Sequence, residues 1–249
     1  MQKLSVVIIT FNEERNIERC LKSVQDIADE IVVVDSNSQD KTLEICEKYK
    51  AKVYQQEWLG YSEQKNLGNE KANYDYVFSI DADEALSEEL KTSIQTAKNN
   101  NFGDAYQFNR LNNYCGKWIR HTSWYPDVKL RIWNKKQGLW KGEIHEKIYL
   151  SDNVKRVHLK GDLLHYSYYT IQDHIAQVNK FSEISADAKF NKGKKAGVFV
   201  IVFSPMFKFF KEYILKLGIL DGLYGFAISV ISAHESFLKY LKLYQKTHS

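Results

Sequence analysis

Four short apolar runs, "KLSVVIIT", "DEIVVVD", "AKVYQQ" and "YDYVFSID", lie within the first 81 residues and are separated by stretches of helical character. In "EERNIERCLKSV" the residues Ile17, Cys20, Leu21 and Val24 recur at helical spacing. "KTLEICEKYK" follows Asp40 as a cap, and "GYSEQKNLGNEKA" reads as a polar helix. This alternation of strand and helix constrains the fold more than any other feature. It predicts an α/β architecture, a mostly parallel sheet with helices on both faces. The N-terminal run is short, β-branched and followed by acidic residues, so it reads as a buried strand and not as a signal peptide.

In such sheets ligands bind beyond the carboxyl ends of the strands. The polar groups found there are Thr10 to Glu13 ("TFNE"), Asp35 with Ser36 ("DSNS") and Asp81 with Asp83 ("DAD"), and all three sets are expected to face one crevice. No glycine-rich phosphate cradle occurs, so neither a Walker loop nor a dinucleotide fingerprint fits. A cation held by carboxylates is the remaining common way to bind a diphosphate. Asp81 and Asp83 offer hard oxygen ligands suited to Mg²⁺ or Mn²⁺. Taken alone, "DADEALSEEL" also reads as a surface acidic cluster ahead of a helix capped by Ser87, with Glu84 in the loop at the helix start, where it favours the dipole. The company of "TFNE" and "DSNS" at equivalent strand ends favours the ligand site.

Composition narrows the class. A net charge of +4 is too small to argue for nucleic acid. It is unevenly distributed: residues 187–249 hold ten Lys and four acids, so the rest of the chain is slightly acidic. Three scattered cysteines without a CxxC pair indicate a reducing compartment, with neither a disulfide framework nor a zinc site.

With these residues in view, "SVVIITFNEERNIERCLKSV", "DEIVVVDSNSQDKT" and "DADE" resemble the nucleotide-sugar half of the inverting family 2 glycosyltransferases, whose fold is GT-A, a Rossmann-like sheet. "WLGYSEQKN", "WYPDVKLRIW", "GEIHEKI", "LLHYSYY" and "GILDGLYGFAISVISAHESFLKY" extend the resemblance to the WaaE-like lipopolysaccharide-core β-glucosyltransferases. One departure is Asn37, where relatives commonly have Gly; Asn tolerates the left-handed conformation, so the turn is expected to survive.

The resemblance implies a nucleotide diphosphate sugar donor, a UDP-sugar in particular. Thr10, Asn12 and Glu13 would line the nucleoside pocket, and Asp35 would accept a hydrogen bond from uracil or ribose. Gln64 and Lys65 sit where relatives place base or phosphate contacts, although Lys65 also reads as part of a solvated helix face. Asp81 would approach ribose and metal, and Asp83 would ligate the metal. His165 is a candidate third metal ligand, with a buried core histidine as the alternative. Inversion needs a base for the acceptor hydroxyl. Glu146 is favoured, Asp127 is second and Glu143 is a further candidate; a plain salt bridge to Arg131 or Lys147 is the competing role. His145, next to the favoured base, orients the loop or packs.

Trp118, Trp124, Trp133 and Trp140 cluster with Tyr114 and Tyr125 in the middle of the chain. Aromatic faces stack on sugars, so Trp124 and Tyr125 are assigned to the acceptor and Trp133 to the core. Domain limits follow: residues 1–168 as catalytic domain, split into a nucleotide-sugar half (1–100) and an acceptor half (101–168), then a helical region at 169–249. In that region Ile171, Ile175, Val178, Phe181 and Ile184 mark an amphipathic helix. The apolar segment after Val198 is interrupted by Pro205 and charged residues before it reaches the ~18 residues of a spanning helix. Lysines beside apolar faces suggest a membrane surface, a hairpin packed on protein being the alternative. The expected activity is transfer to a glycolipid at the cytoplasmic face of an inner membrane. The same fold acting on a polysaccharide or protein, or a non-catalytic scaffold, are the competing readings, and homo-oligomer formation is left open.

Overall fold

The computed structural model describes residues 2–142 and 146–248. The chain divides into two compact units, one of residues 1–110 and 128–165, the other of residues 111–127 and 166–249.

The first unit opens with the alternation read from sequence: β1 (Leu4–Thr10), α1 (Ile17–Val24), β2 (Glu30–Asp35), α2 (Thr42–Lys48), β3 (Lys52–Gln55), α3 (Tyr61–Lys71) and β4 (Tyr76–Asp81). A short β5 (Glu84–Leu86) and α4 (Glu88–Asn99) follow; further along the chain come β6 (Ala105–Tyr114), β7 (Lys117–Ile119), which belongs to the second unit, β8 (Asp127–Asn134), β9 (Gly138–Lys141), β10 (Lys147–Leu150) and β11 (Arg156–Tyr168). The main sheet has the order β3-β2-β1-β4-β8-β6-β11-β5. Its β3-β2-β1-β4 part is parallel, whereas β8 on β4 and β5 on β11 are antiparallel. The long β-branched runs are therefore the strands buried on both faces, as a parallel sheet requires.

Helices do cover both faces. Ile17, Cys20, Leu21 and Val24 of α1, and Leu90 and Ile94 of α4, pack with Val6, Ile8, Phe78 and Ile80. On the opposite face α3 lies against β1 and β2 through Gly68, where a Cβ would sit 2.4 Å from Val7 Cγ1, so only glycine permits this approach. That is why α3 carries almost no apolar residues and still packs. Ser87 caps α4 as expected, its hydroxyl accepting from the Leu90 N–H. Asp40 accepts from the Thr42 N–H at the start of α2.

The second unit contains α5 (Ile171–Phe190), α6 (Val198–Phe210), a π turn (Lys211–Leu215), a 3-10 turn (Gly218–Asp221) and α7 (Gly222–His248). Thr170 and Asp173 form a reciprocal capping box at the start of α5. The face α5 buries is not the expected apolar stripe. It is the line His174, Val178, Ser182 and Ala186, while Ile171, Ile175 and Phe181 are exposed. Small residues on that line allow α5 and α7 to approach, with Ala186 against Leu243, and Lys246 pairs with Glu183 and Asp187 across the two helices.

Candidate active site

The parallel register brings the strand ends together, since Thr10 lies beside Asp35 and Ile9 beside Asp81. Beyond those ends is a cavity of about 610 Å³, lined entirely by first-unit residues. Its polar wall is Thr10, Glu13, Ser36, Asp81, Asp83 and His165; Phe11, Trp58 and Tyr61 form an aromatic rim. All three rim residues are about half exposed, and the Trp58 and Tyr61 rings meet edge to face at 4.7 Å.

The "DADE" carboxylates have three different environments. Asp81 ends β4 with Oδ1 3.0 Å from Lys65 Nζ and Oδ2 2.9 Å from Arg131 Nη2. Burial alone would raise its pKa, but Lys65 and then Arg131 outweigh that and hold the carboxyl well below the usual carboxylate range. Glu84 is not in the loop or at the helix start, as its sequence position suggests. It begins β5 fully buried, accepts the Asp81 N–H at 3.0 Å and pairs with Arg131 at 3.0 Å, with Arg110 at 3.6 Å. Asp83 occupies the turn between β4 and β5. Because β5 pairs with β11 so that Glu84 faces His165, the Asp83 carboxylate meets His165 Nε2 at 3.1 Å.

A preformed trio of metal ligands at Asp81, Asp83 and His165 is therefore not what the structure builds. Both Asp81 oxygens face cations, and no cluster of three potential ligands exists among the described residues. The pair that remains open to the cavity is Asp83 with His165.

Lys65 is buried and not on a solvated face. Its Nζ lies 4.6 Å from the Trp140 ring centroid and bridges Asp81 to Glu146 Oε1 at 3.0 Å. Glu146 is thus linked to the strand-end acid through one lysine, while Glu143 and His145 fall outside the described residues. Gln64, also buried, donates to Ser36 Oγ and the Gln56 carbonyl, and so props the β2 loop without lining the cavity. Asp35 is fully buried and spends its carboxylate on the Ser38 N–H and hydroxyl, leaving Ser36 as the residue of that turn that reaches the cavity. Asn37 takes φ 64°, so the left-handed turn survives without glycine. Asn12, at φ 53°, joins the two loops: its side-chain oxygen accepts the Gln39 N–H and its N–H donates to Ser38 Oγ.

Asp127, Trp124 and Tyr125 belong to the second unit. Trp124 packs among Tyr114, Tyr168 and His174, with ring centroids 5.5 to 5.7 Å away, so its environment is an aromatic cluster. Trp133 is fully buried, as expected.

The model of the family described as Glycosyl transferase family 2 matches residues 5–151, more than half of the chain. The chain belongs to glycosyl transferase family 2. It is 33% identical to an uncharacterized glycosyltransferase of Rickettsia typhi over 98% of this chain and 87% of that one. It is 29% identical to the lipopolysaccharide core biosynthesis glycosyltransferase LpsC of Rhizobium meliloti, over 98% of this chain and 92% of that one. Staphylococcus aureus TarS 1-349, solved with UDP, superposes with a TM-score of 0.51 at 17% identity, covering 99% of this chain and 91% of TarS 1-349. The fold is the mixed α/β GT-A arrangement.

Within this family 2 domain the charge balance around the cavity is informative. Lys65, Arg131 and Arg110 serve Asp81, Glu84 and Glu146. Among the described residues, Glu13 and Asp83 have no Lys or Arg within ion-pair distance. Burial pushes the Glu13 carboxyl up; the Asn16 amide works against this, and Asp83, Asp40 and Asp81 add to it. The two acids on the cavity wall, Glu13 and Asp83, thus lie there without a Lys or Arg partner among the described residues, which suits a cationic ligand. Trp58, Tyr61 and Phe11 are the residues missed from sequence, and Arg131 was named there only as a salt-bridge partner for the candidate base. The quoted segments "TFNE", "WLGYSEQKN" and "WYPDVKLRIW" contained all four, but nothing there separates a rim aromatic or a buried arginine from its neighbours.

Proposed function

We propose that the protein is an inverting, divalent-cation-dependent glycosyltransferase that moves a sugar from a nucleotide diphosphate donor, a UDP-sugar, to a glycolipid acceptor. It would work peripherally on the cytoplasmic face of an inner membrane, in lipopolysaccharide core or related surface-glycan synthesis. The observation that carries this is the Asp83–His165 pair facing the cavity, beside an aromatic rim and a second acid, Glu13. The name of LpsC supports the acceptor class, and the UDP in TarS is in keeping with the donor.

Phe11, Trp58 and Tyr61 suit the flat faces of a base or sugar, and Ser36 and Thr10 offer hydroxyls to the nucleoside. Asp83 and His165 are an oxygen and nitrogen donor pair compatible with Mn²⁺ or Mg²⁺ that takes its remaining ligands from substrate phosphates and water. The bound cation would neutralise the charge developing on the departing diphosphate. Asp81, fixed by Lys65 and Arg131, keeps the strand end rigid and is placed for the ribose. On the acceptor side, Glu146 takes the hydroxyl proton while that oxygen bonds to the anomeric carbon and the bond to the diphosphate oxygen breaks. Lys65 orients Glu146 by its 3.0 Å contact.

Nucleotide binding and donor turnover test this together. UDP is expected to raise the melting temperature with Mn²⁺ and much less with EDTA, and Asp83→Ala should abolish that difference along with metal-dependent hydrolysis of the UDP-sugar. Hydrolysis unchanged in Asp83→Ala would remove the metal assignment.

A further inference from the structure

None of the thirteen residues of α6 is buried. Phe199, Val202, Phe203, Met206, Phe207 and Phe210 form an exposed stripe along it. The stripe continues past the helix through Leu215, Leu217, Ile219, Leu220 and Leu223, of which Leu223 is 78% exposed. Soluble surfaces rarely leave so long an apolar tract uncovered.

The polar groups of the same segment are turned inward and satisfied. Glu212 is buried and receives the Ser123 N–H and hydroxyl at 2.6 Å each and Lys208 at 2.7 Å. Asp221, also buried, accepts the His121 N–H at 2.9 Å, while Lys117 donates to the Asp221 carbonyl at 2.7 Å. These are the only two acids between residues 192 and 230. The exposed charge of this stretch therefore comes from lysines alone: Lys192, Lys194 and Lys195 just ahead of α6, then Lys211 and Lys216. Among the described residues no single helix is long and apolar enough to cross a membrane; Val198–Leu215 and Gly218–His248 pass that test only as a pair, bent by 71°.

We propose that residues 192–223 form a docking surface for one leaflet of an anionic bilayer, with the stripe of α6 and the two following turns at the headgroup–acyl boundary and the lysines at lipid phosphates. The inference deepens the reading of a glycolipid acceptor and rests on it for its biological sense. A second copy of this chain fits less well, because two such faces in contact would oppose lysine with lysine. The geometry is that of an interfacial helix: apolar on one side, with long lysine stems able to reach outward from it.

The test is co-sedimentation of the full chain with phosphatidylcholine vesicles, with and without 30% phosphatidylglycerol, in the absence of nucleotide. Binding is expected to be at least ten times tighter to the anionic vesicles and to weaken with added salt. Phe203→Glu with Phe207→Glu, at positions 49% and 64% exposed, should abolish it without disturbing circular dichroism or UDP binding. Replacing Lys192, Lys194 and Lys195 by Gln should weaken it on the order of 100-fold, at about 1 kcal/mol per lysine near a charged surface. Equal binding to both vesicle types, no binding to either, or a double-Glu variant that binds as well as the parent would overturn the proposal. So would loss of a dimer in the double-Glu variant with lipid binding retained, which would assign the stripe to self-association. UDP binding is measured separately, so failure here and failure of the donor reading are told apart.

Discussion

Removing Arg131 tests the electrostatic account of the site most directly. Its guanidinium is 4% exposed and holds Asp81 at 2.9 Å and Glu84 at 3.0 Å. At an effective dielectric of about 20, each contact is worth roughly 5 kcal/mol of gross attraction, and several kcal/mol of that is spent desolvating the three ions. Arg131→Met keeps the unbranched apolar stem and takes away the guanidinium with its charge. Asp81 would keep Lys65, and among the described residues Glu84 would keep Arg110 at 3.6 Å and the Asp81 N–H. Breaking a buried pair from one side costs about 3–5 kcal/mol, or a drop in Tm of roughly 6–20 °C at about 2–4 °C per kcal/mol for domains of this size.

The pH dependence has a definite sign. The Asp81 pKa is depressed in the fold, so its contribution is present above the unfolded value, about 3.9, and is lost as pH falls through the lower folded value. With one cation gone the depression is smaller. The gap between parent and variant should hold level from pH 8 to pH 5 and narrow below about pH 4. Urea unfolding followed by circular dichroism at several pH values measures it. A variant within 1 kcal/mol of the parent at pH 7, or a gap that widens on acidification, would refute the reasoning.

Other outcomes follow from the second unit. Burial pushes the His174 imidazole down to about 4, with Nδ1 3.1 Å from the Tyr114 hydroxyl. Its neutral form stabilises the fold fully above the unfolded value near 6.5, and that stability is lost between pH 6.5 and 4; His174→Gln should flatten this part of the urea-midpoint profile, and an unchanged slope would assign it elsewhere. Gly225 at the start of α7 has the Gly218 carbonyl oxygen 1.9 Å from where a Cβ would stand. Gly225→Ala should therefore lower the melting temperature, overpacking costing about 1–3 kcal/mol, although alanine in an exposed helix would stabilise by about 1 kcal/mol; a rise in Tm would mean the bend is looser than described.

What sequence revealed and what it hid divide along a physical line. The crevice was legible because strand identity, parallel pairing and the rule of carboxyl-end binding are all local or topological, and Thr10, Ser36 and Asp81 end up together for those reasons. Residues whose role depends on a distant partner were not legible. Lys65 was read as a base or phosphate contact or, because α3 has no apolar stripe, as part of a solvated helix; yet Gly68 draws that helix onto β1 and buries the lysine beneath Trp140. Asp35 looked like a ligand group because its partner, Ser38, is polar like a dozen neighbours. The apolar repeat of α5 predicted an amphipathic helix, but of that repeat only Val178 lies on the buried line, because packing against α7 selected it together with His174, Ser182 and Ala186.

The same distinction separates Asp81 from Asp83. Nothing in "DAD" tells the two carboxylates apart, and spacing alone would give them the same ligand. The difference arises from what the fold brings to each. Asp81 ends a strand flanked by β8, which carries Arg131, and covered by α3, which carries Lys65. Asp83, two residues later, has left the sheet and, among the described residues, meets a histidine and no Lys or Arg. A carboxylate already neutralised by two buried cations is costly to redirect and serves as scaffold. One facing the cavity beside another acid, Glu13, is left available to something brought from outside. The negative charge gathered at the end of β4 is thus mostly spent within the protein, and the fraction left for a ligand is set by the positions of two basic side chains far away in sequence.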